Sequence, residues 1–244
     1  MGSDGAELLL LVQMNVDEAH ERTFNDWYHS HVPHLLEVPG YRWGRRYVGI
    51  FGPVRYLALY EIADRSWLPA LLGPDAEGRP PMVNEEFARF EALEGLRDVR
   101  IRAYEQLSGP RFTPLLQESD HPLSIVLTDA RPEVEAEFNH WYDTSHVPGL
   151  LQVPGYRSGL RFRSVDDPAV AHHGDRFRYL ALYEIEDEAS APAISDPERM
   201  SQEARDEFAR FQSVGLPMVS GDLSWNIYRP LAKHWPLDRN GAAG

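Results

Sequence analysis

The sequence predicts an α+β protein built from two βαββαβ units in tandem, and three repeated blocks carry that expectation. FNDWYHSHVPHLLEVPGYRWGRRY, from Phe24 to Tyr47, returns as FNHWYDTSHVPGLLQVPGYRSGLRF from Phe138 to Phe162. RYLALYEI at Arg55–Ile62 returns unchanged at Arg178–Ile185, and EFARF at Glu86–Phe90 returns at Glu207–Phe211. The blocks keep one order at a spacing of roughly 120 residues, the mark of a duplicated structural unit, so a site on one copy has a pseudo-two-fold counterpart on the other. A chain of 244 residues lets each copy bury a core. The expected division is a first unit over 1–114, a second over 115–232 and a poorly ordered tail over 233–244, with Ser108-Gly109-Pro110 through His121-Pro122 as the linker.

The first copy opens with Glu7 to Asn15, a short apolar run that reads as a buried strand. Asp17, Glu18 and Glu21 place negative charge where a helix N-terminus favours it. Phe24, Trp27, Tyr28 and His31 follow at i, i+3, i+4 and i+7, one stripe of that helix, until Pro33 and the turn at Pro39-Gly40 end it. Tyr41 to Ile50 and Arg55 to Ile62 are β-rich runs joined by Phe51-Gly52-Pro53, a hairpin. Asn84 is the expected cap of a helix through Leu96, and Val99 to Leu107 supplies the last strand. The second copy repeats the series over Leu123–Asp129, Val134–His146, Tyr156–Ser164, Arg178–Ile185, Asp206–Gly215 and Leu223–Tyr228.

Alternation in the second hairpin strand puts Arg55, Leu57, Leu59 and Glu61 on one face and Tyr56, Ala58, Tyr60 and Ile62 on the other. Both faces are largely apolar, so helices on one side leave the other in need of cover. Packing the two sheets against each other satisfies both. The expected product is a barrel-like cavity between the sheets, with Tyr56, Tyr60, Tyr179 and Tyr183 pointing into it.

A net charge of -14 and the lack of a Lys/Arg-rich run disfavour a nucleic-acid or anionic-membrane partner. With no cysteine there are no disulfides, thiolate metal sites or Cys nucleophiles. No signal peptide is evident, so a cytoplasmic location is expected, and the run Leu8–Val12 is too short to span a bilayer.

The phrase W-Y-x-x-x-H-V-P-x-L-L-x-V-P-G-Y on a βαββαβ unit resembles the dimeric α+β barrel superfamily, a ferredoxin-like group, and most closely its EthD-like branch. The resemblance covers Glu7–Leu107 and Leu123–Tyr228. It implies that this chain carries in one molecule the two units that such proteins bring together by dimerising; a homodimer of the fused unit is a further expectation. It also implies a range of activities, from cofactor-free monooxygenases and polyketide cyclases to isomerases, dehydratases and haem proteins, among which fold does not select.

His146 is the candidate general acid/base, because an imidazole titrates near neutrality, and Tyr142 lies one turn back on the same helix face. Asn139, Arg161, Tyr183, Tyr60, Trp225 and Ser124 are the candidate substrate-binding residues, with an arginine placed to clamp a carboxylate or enolate oxygen. His31, Tyr28, Asn25 and Arg46 form the equivalent set in the first copy. There Tyr28 and His31 are three residues apart, where Tyr142 and His146 are four, so a regular helix would rotate His31 by about 100° and favour the second site. Arg42, Gly44 and Arg46 are expected on one strand face and Tyr41, Trp43 and Arg45 on the other. Ser124 and Thr128 stand where the first copy has Leu10 and Met14, and without a G-x-S-x-G elbow a serine nucleophile is disfavoured. His29, His31 and His34, and the pair His172-His173 in an eight-residue insertion, lack zinc-site spacing, so no metal is expected.

These residues suit a cofactor-independent isomerase, dehydratase/lyase or ester hydrolase acting on a small conjugated or aromatic-derived carbonyl compound, as in aromatic catabolism. The alternatives are a non-catalytic small-molecule-binding or scaffold protein, and a haem-binding protein or cofactor-free monooxygenase. Haem is implied by the resemblance alone.

Overall fold

The computed structural model describes residues 8–73, 78–112, 115–116 and 119–231, so the expected tail over 233–244 lies outside the described residues. The first half runs β1 (Leu8–Val16), α1 (Glu21–Leu35), β2 (Tyr41–Phe51), β3 (Tyr56–Ile62), α2 (Leu68–Leu72), α3 (Pro81–Glu91) and β4 (Leu96–Ser108). The second runs β5 (Leu123–Ala130), α4 (Glu135–Trp141), a π-helical turn (Tyr142–His146), α5 (Val147–Leu150), β6 (Tyr156–Ser164), β7 (Tyr179–Ile185), α6 (Ser190–Ser195), α7 (Gln202–Arg210), a second π-helical turn (Phe211–Gly215) and β8 (Val219–Pro230).

Within each half the strands pair antiparallel in one order, β4-β1-β3-β2 and β8-β5-β7-β6. The free edges of the two sheets then join, β2 to β8 and β4 to β6, and close an eight-stranded barrel. Closure removes the exposed edges that each four-stranded sheet would otherwise present.

The interior of the barrel is filled. Leu9, Leu11, Leu57 and Leu59 meet their counterparts Leu123, Ile125, Leu180 and Leu182 there, together with Trp43, Tyr47, Tyr104, Phe162 and Tyr228. This corrects the expected cavity between the sheets. Tyr56, Tyr60, Tyr179 and Tyr183 lie on the opposite face, under the helices, in the same clusters as Phe24, Tyr28, Phe138 and Tyr142. The strand YLALYEI is apolar on both faces, and its pattern carries no sign of which one turns inward. The leucines of this strand fill the closed barrel without a polar atom to satisfy, whereas two of the four tyrosine hydroxyls find partners on the helix side: Tyr56 donates to Glu21 and Tyr179 to Glu135.

Several local features also depart from the sequence reading. Helix α3 starts at Pro81 rather than at Asn84, because a proline at the first helical position needs no hydrogen bond and presets φ. It ends at Glu91, and Gly95 at φ +74 turns the chain so that Leu96 opens β4. Helix α1 continues two residues past Pro33. β-Bulges between Tyr41 and Trp43, and between Tyr156 and Ser158, put Tyr41 on the helix side while Trp43 stays inside the barrel.

The hairpins cross between halves. Val165 and Val170, at the start of the insertion after β6, pack with Leu68, Leu71 and Leu72 of the first half. Ile50, at the end of β2, packs against Ile194 and Ile227 of the second.

Candidate active site

Each half holds a chamber between its helices and the outer face of its sheet. The second is about 120 Å³ and is bounded by Tyr142, His146, Tyr156, Tyr183, Phe208 and Trp225. The first, about 50 Å³, is bounded by the equivalent Tyr28, His31, Tyr41, Tyr60 and Phe87, with Ile101 in place of Trp225. The larger matches one aromatic ring in scale: a dry cavity of roughly 150 Å³ holds benzene.

A buried histidine–carboxylate pair stands at each chamber. His146 Nδ1 lies 2.7 Å from Glu207 Oε1, and His31 Nδ1 lies 2.5 Å from Glu86 Oε2. The imidazoles stack on tryptophans, Trp141 at 4.8 Å and 13° and Trp27 at 4.0 Å and 26°. Tyr142 and Tyr28 meet them edge-on. An ionised carboxylate can only accept, so opposite one Nδ1 carries the hydrogen, and in the neutral imidazole Nε2 then keeps the lone pair. Nε2 makes no hydrogen bond among the described residues at either histidine.

The one-residue difference between the copies does not rotate the histidines apart. The extra residue of the second copy widens Tyr142–His146 into a π-helical turn, and His146 returns to the register that His31 holds on the regular α1. An inserted residue in a helix is commonly absorbed as a π-bulge, at the cost of poorer hydrogen bonds. The expected 100° rotation is therefore corrected, and both copies have the pair in one geometry.

Burial pushes the Glu86 carboxyl up, but hydrogen bonds from His31 and His34, and the charges of His31 and Arg89, outweigh it and hold the group at about 2. Burial lowers His31 from its ordinary value against the pull of Glu86. Burial raises Tyr142 and Tyr28 to about 12, with Arg161 and Arg46 opposing, and raises Tyr183 and Tyr60 well above their usual range. All four phenols are neutral hydrogen-bond donors near pH 7. The hydroxyls of Tyr183 and Tyr60 are buried and make no hydrogen bond of good geometry among the described residues; the neighbouring Tyr142 and Tyr28 hydroxyls are their near partners and couple to them as weak hydrogen-bond acceptors.

The remaining candidates fall outside the chambers or divide between them. Arg161 lies 4.5 Å from the centre of the Tyr142 ring and donates to Asn139 Oδ1 at 2.7 Å and Asp143 Oδ1 at 3.0 Å. Arg46 sits 4.0 Å over the Tyr28 ring and donates to Asn25 Oδ1 at 2.8 Å. Asn139 and Asn25 donate in turn to backbone oxygens of Glu135 and Glu21 and to the hydroxyls of Tyr179 and Tyr56. These pseudo-symmetric networks brace the helix against the sheet, and among the described residues no arginine borders either chamber. Arg42 pairs with Glu61 at 3.6 Å instead. Ser124 accepts from Trp225 Nε1 at 2.9 Å, behind the chamber wall. Tyr60 borders the first chamber and Tyr183 the second, so the two do not share a site.

Glu86 and Glu207 were missed as site residues, although each opens an EFARF block. Their invariance between copies was the available signal; what the sequence lacked was the contact across 55 and 61 residues to His31 and His146. Among the described residues no three His, Asp or Glu side chains gather as a metal site. His172 bonds the Val165 carbonyl at 2.9 Å and His173 pairs through its backbone with Ile101. A tetrapyrrole, which the resemblance allows, does not fit a chamber of about 120 Å³.

The closed sheet with helices on its outer face is a dimeric α+β barrel, as the likeness to solved structures also shows. The chain is similar to an anthrone oxidase-like protein (TM-score 0.62, 13% identity, 95% of this chain and 94% of that chain). It is similar to a proposed monooxygenase from Fusobacterium nucleatum (TM-score 0.58, 11% identity, 94% of each chain). A chlorite dismutase from Candidatus Nitrospira defluvii follows the same fold (TM-score 0.52, 8% identity, 93% of each chain). No protein-family model and no curated protein matches the chain. No helix among the described residues is long and apolar enough to cross a membrane.

Proposed function

We propose that the second chamber is the site of a cofactor-independent proton-transfer enzyme acting on a small conjugated or aromatic carbonyl compound. The observation that carries this reading is the placement of the His146–Glu207 pair and the buried Tyr183 and Tyr142 hydroxyls on one small apolar chamber. His146 Nε2 takes a proton from a carbon next to the substrate carbonyl, and the electron pair of that C–H bond moves into the enolate. Glu207 stabilises the imidazolium that forms, and the Tyr183 phenol, seconded by Tyr142, donates to the enolate oxygen. Return of the proton to another carbon completes an isomerisation; loss of a leaving group from the neighbouring carbon completes an elimination.

A second fate for the same enolate is capture by dioxygen, which the names of the structural neighbours favour. An oxygen electrode separates the two.

The test uses 2-indanone in deuterated buffer, with loss of its α C–H signal followed by NMR. The wild type should exchange faster than buffer, and His146→Ala should lose about 100-fold or more, the range of a general base. Wild-type exchange at the buffer rate overturns the proposal and favours a binding or scaffold role, and full exchange by His146→Ala overturns it by removing His146 as the base.

A further inference from the structure

Residue 34 of the first copy and residue 149 of the second are equivalent in HVPHLL and HVPGLL, and they flank the two carboxylates. His34 Nδ1 lies 3.1 Å from Glu86 Oε1. Arg89 donates to the same oxygen and also reaches Ser30 at 2.9 Å. Glu86 therefore divides its charge among His31, His34 and Arg89.

At Glu207 the equivalent position is Gly149, and a Cβ placed there would stand 2.5 Å from Oε2 and 2.9 Å from Cδ of that carboxylate. The place of the imidazole is thus taken by the carboxylate itself. Arg210 is more distant than Arg89, 3.5 Å from Glu207 Oε2 and half exposed, with its other end 3.4 Å from Ser145. Among the described residues Glu207 meets no ionisable group besides His146 and Arg210.

We propose that Gly149 is a positioning residue that makes the His146–Glu207 pair the stronger base of the two, while His34 and Arg89 restrain the His31–Glu86 pair. The effect of a carboxylate on an imidazole follows the charge it presents to the Nδ1 hydrogen, and competing donors draw that charge away. Most other groups match in the comparison. Both histidines stack on a tryptophan, meet a tyrosine edge-on, and have an arginine behind that tyrosine, Arg46 in one half and Arg161 in the other; Arg161 is also paired with Asp143 at 3.0 Å, a difference that the Gly149→Ala and His34→Gly variants leave untouched. Phe211 lies tilted against His146 and carries no charge. This inference deepens the proton-transfer reading and rests on it for its functional meaning.

The experiment follows the titration of His31 and His146 by two-dimensional 15N–1H NMR on the full chain labelled at histidine, independently of any substrate. His146 should bind its proton about tenfold more tightly than His31. Gly149→Ala should weaken proton binding at His146 and slow 2-indanone exchange about tenfold or more in kcat, with KM within twofold, because Gly149 does not border the chamber. A Gly-to-Ala change on a helix favours folding by itself, so a lower rate cannot be assigned to lost helix. His34→Gly should strengthen proton binding at His31. Equal affinities in the wild type, or no response of His31 to His34→Gly, overturn the inference. Absence of exchange by a wild type whose histidines titrate as described overturns the functional reading alone.

Discussion

Replacing Tyr183 by phenylalanine should stabilise the unliganded protein, and the same change at Tyr104 should destabilise it. Both rings are buried, Tyr183 at 1% exposure and Tyr104 at 0%. They differ at the hydroxyl. That of Tyr183 makes no hydrogen bond of good geometry among the described residues, its near neighbour being the Tyr142 hydroxyl, whereas that of Tyr104 donates to the Phe177 carbonyl at 3.0 Å. A hydroxyl buried without a partner costs about 1–3 kcal/mol. Phenylalanine removes that cost and keeps the edge-on contact with Tyr156. A gain of about 1 kcal/mol raises Tm by roughly 2–4 °C in a chain of this size. At Tyr104 the change leaves a buried carbonyl unpaired and costs about 1–3 kcal/mol, so Tm falls by a few degrees. Scanning calorimetry of the three proteins in one buffer measures both signs. A Tyr183→Phe protein that melts below the wild type would show that the hydroxyl is satisfied, and would remove it as a free donor to substrate.

Deleting Thr144 should convert the π-helical turn into regular helix, as in the first copy, with the His146–Glu207 contact retained; a crystal structure or histidine NMR of the deletion checks this. Asn139→Ala should lower stability by about 1.5–3 kcal/mol, because the buried Arg161 loses an acceptor, yet slow exchange less than tenfold because neither residue borders the chamber; denaturant unfolding and the 2-indanone assay read the two effects. Stability should fall on acidification. The folded values of Glu86, about 2, and of His31 both lie below their ordinary 4.5 and 6.5, so the native state holds fewer protons than the unfolded chain and loses stability as pH drops from about 6.5. Tm should decline from pH 7 to 3, less steeply below pH 4.5 in Glu86→Gln.

The duplication, the element order and the closed barrel were legible because they rest on repeated blocks and on alternation, which act locally. The histidine, tyrosine and tryptophan of the first copy's helix stripe were also legible, since i, i+3, i+4 and i+7 bring them together on any helix. The direction of the tyrosines was not. Tyr60 and Leu59 are equally buried, and only the closure of the whole sheet decides which of them faces the helices. The register of His146 was misread for a related reason: spacing on an ideal helix cannot anticipate a π turn whose compensation is the pairing with Glu207, 61 residues away. Arg161 and Arg46 were placed at a substrate because their buried position reads the same from sequence whether the acceptor is a ligand or Asn139 and Asn25.

The exchange of hairpins between halves makes the duplication indivisible. Val165 and Val170 are part of a core whose other buried members belong to the first copy, and Ile50 serves the second in the same way. Scission in the connecting segment would strip each fragment of a wall supplied by its sibling, as well as baring the two seams of the sheet. Unfolding should accordingly be a single event for the whole molecule. The two chambers, by contrast, share no bordering residue, so one can drift in size and chemistry while the other is preserved, on a frame that neither can abandon.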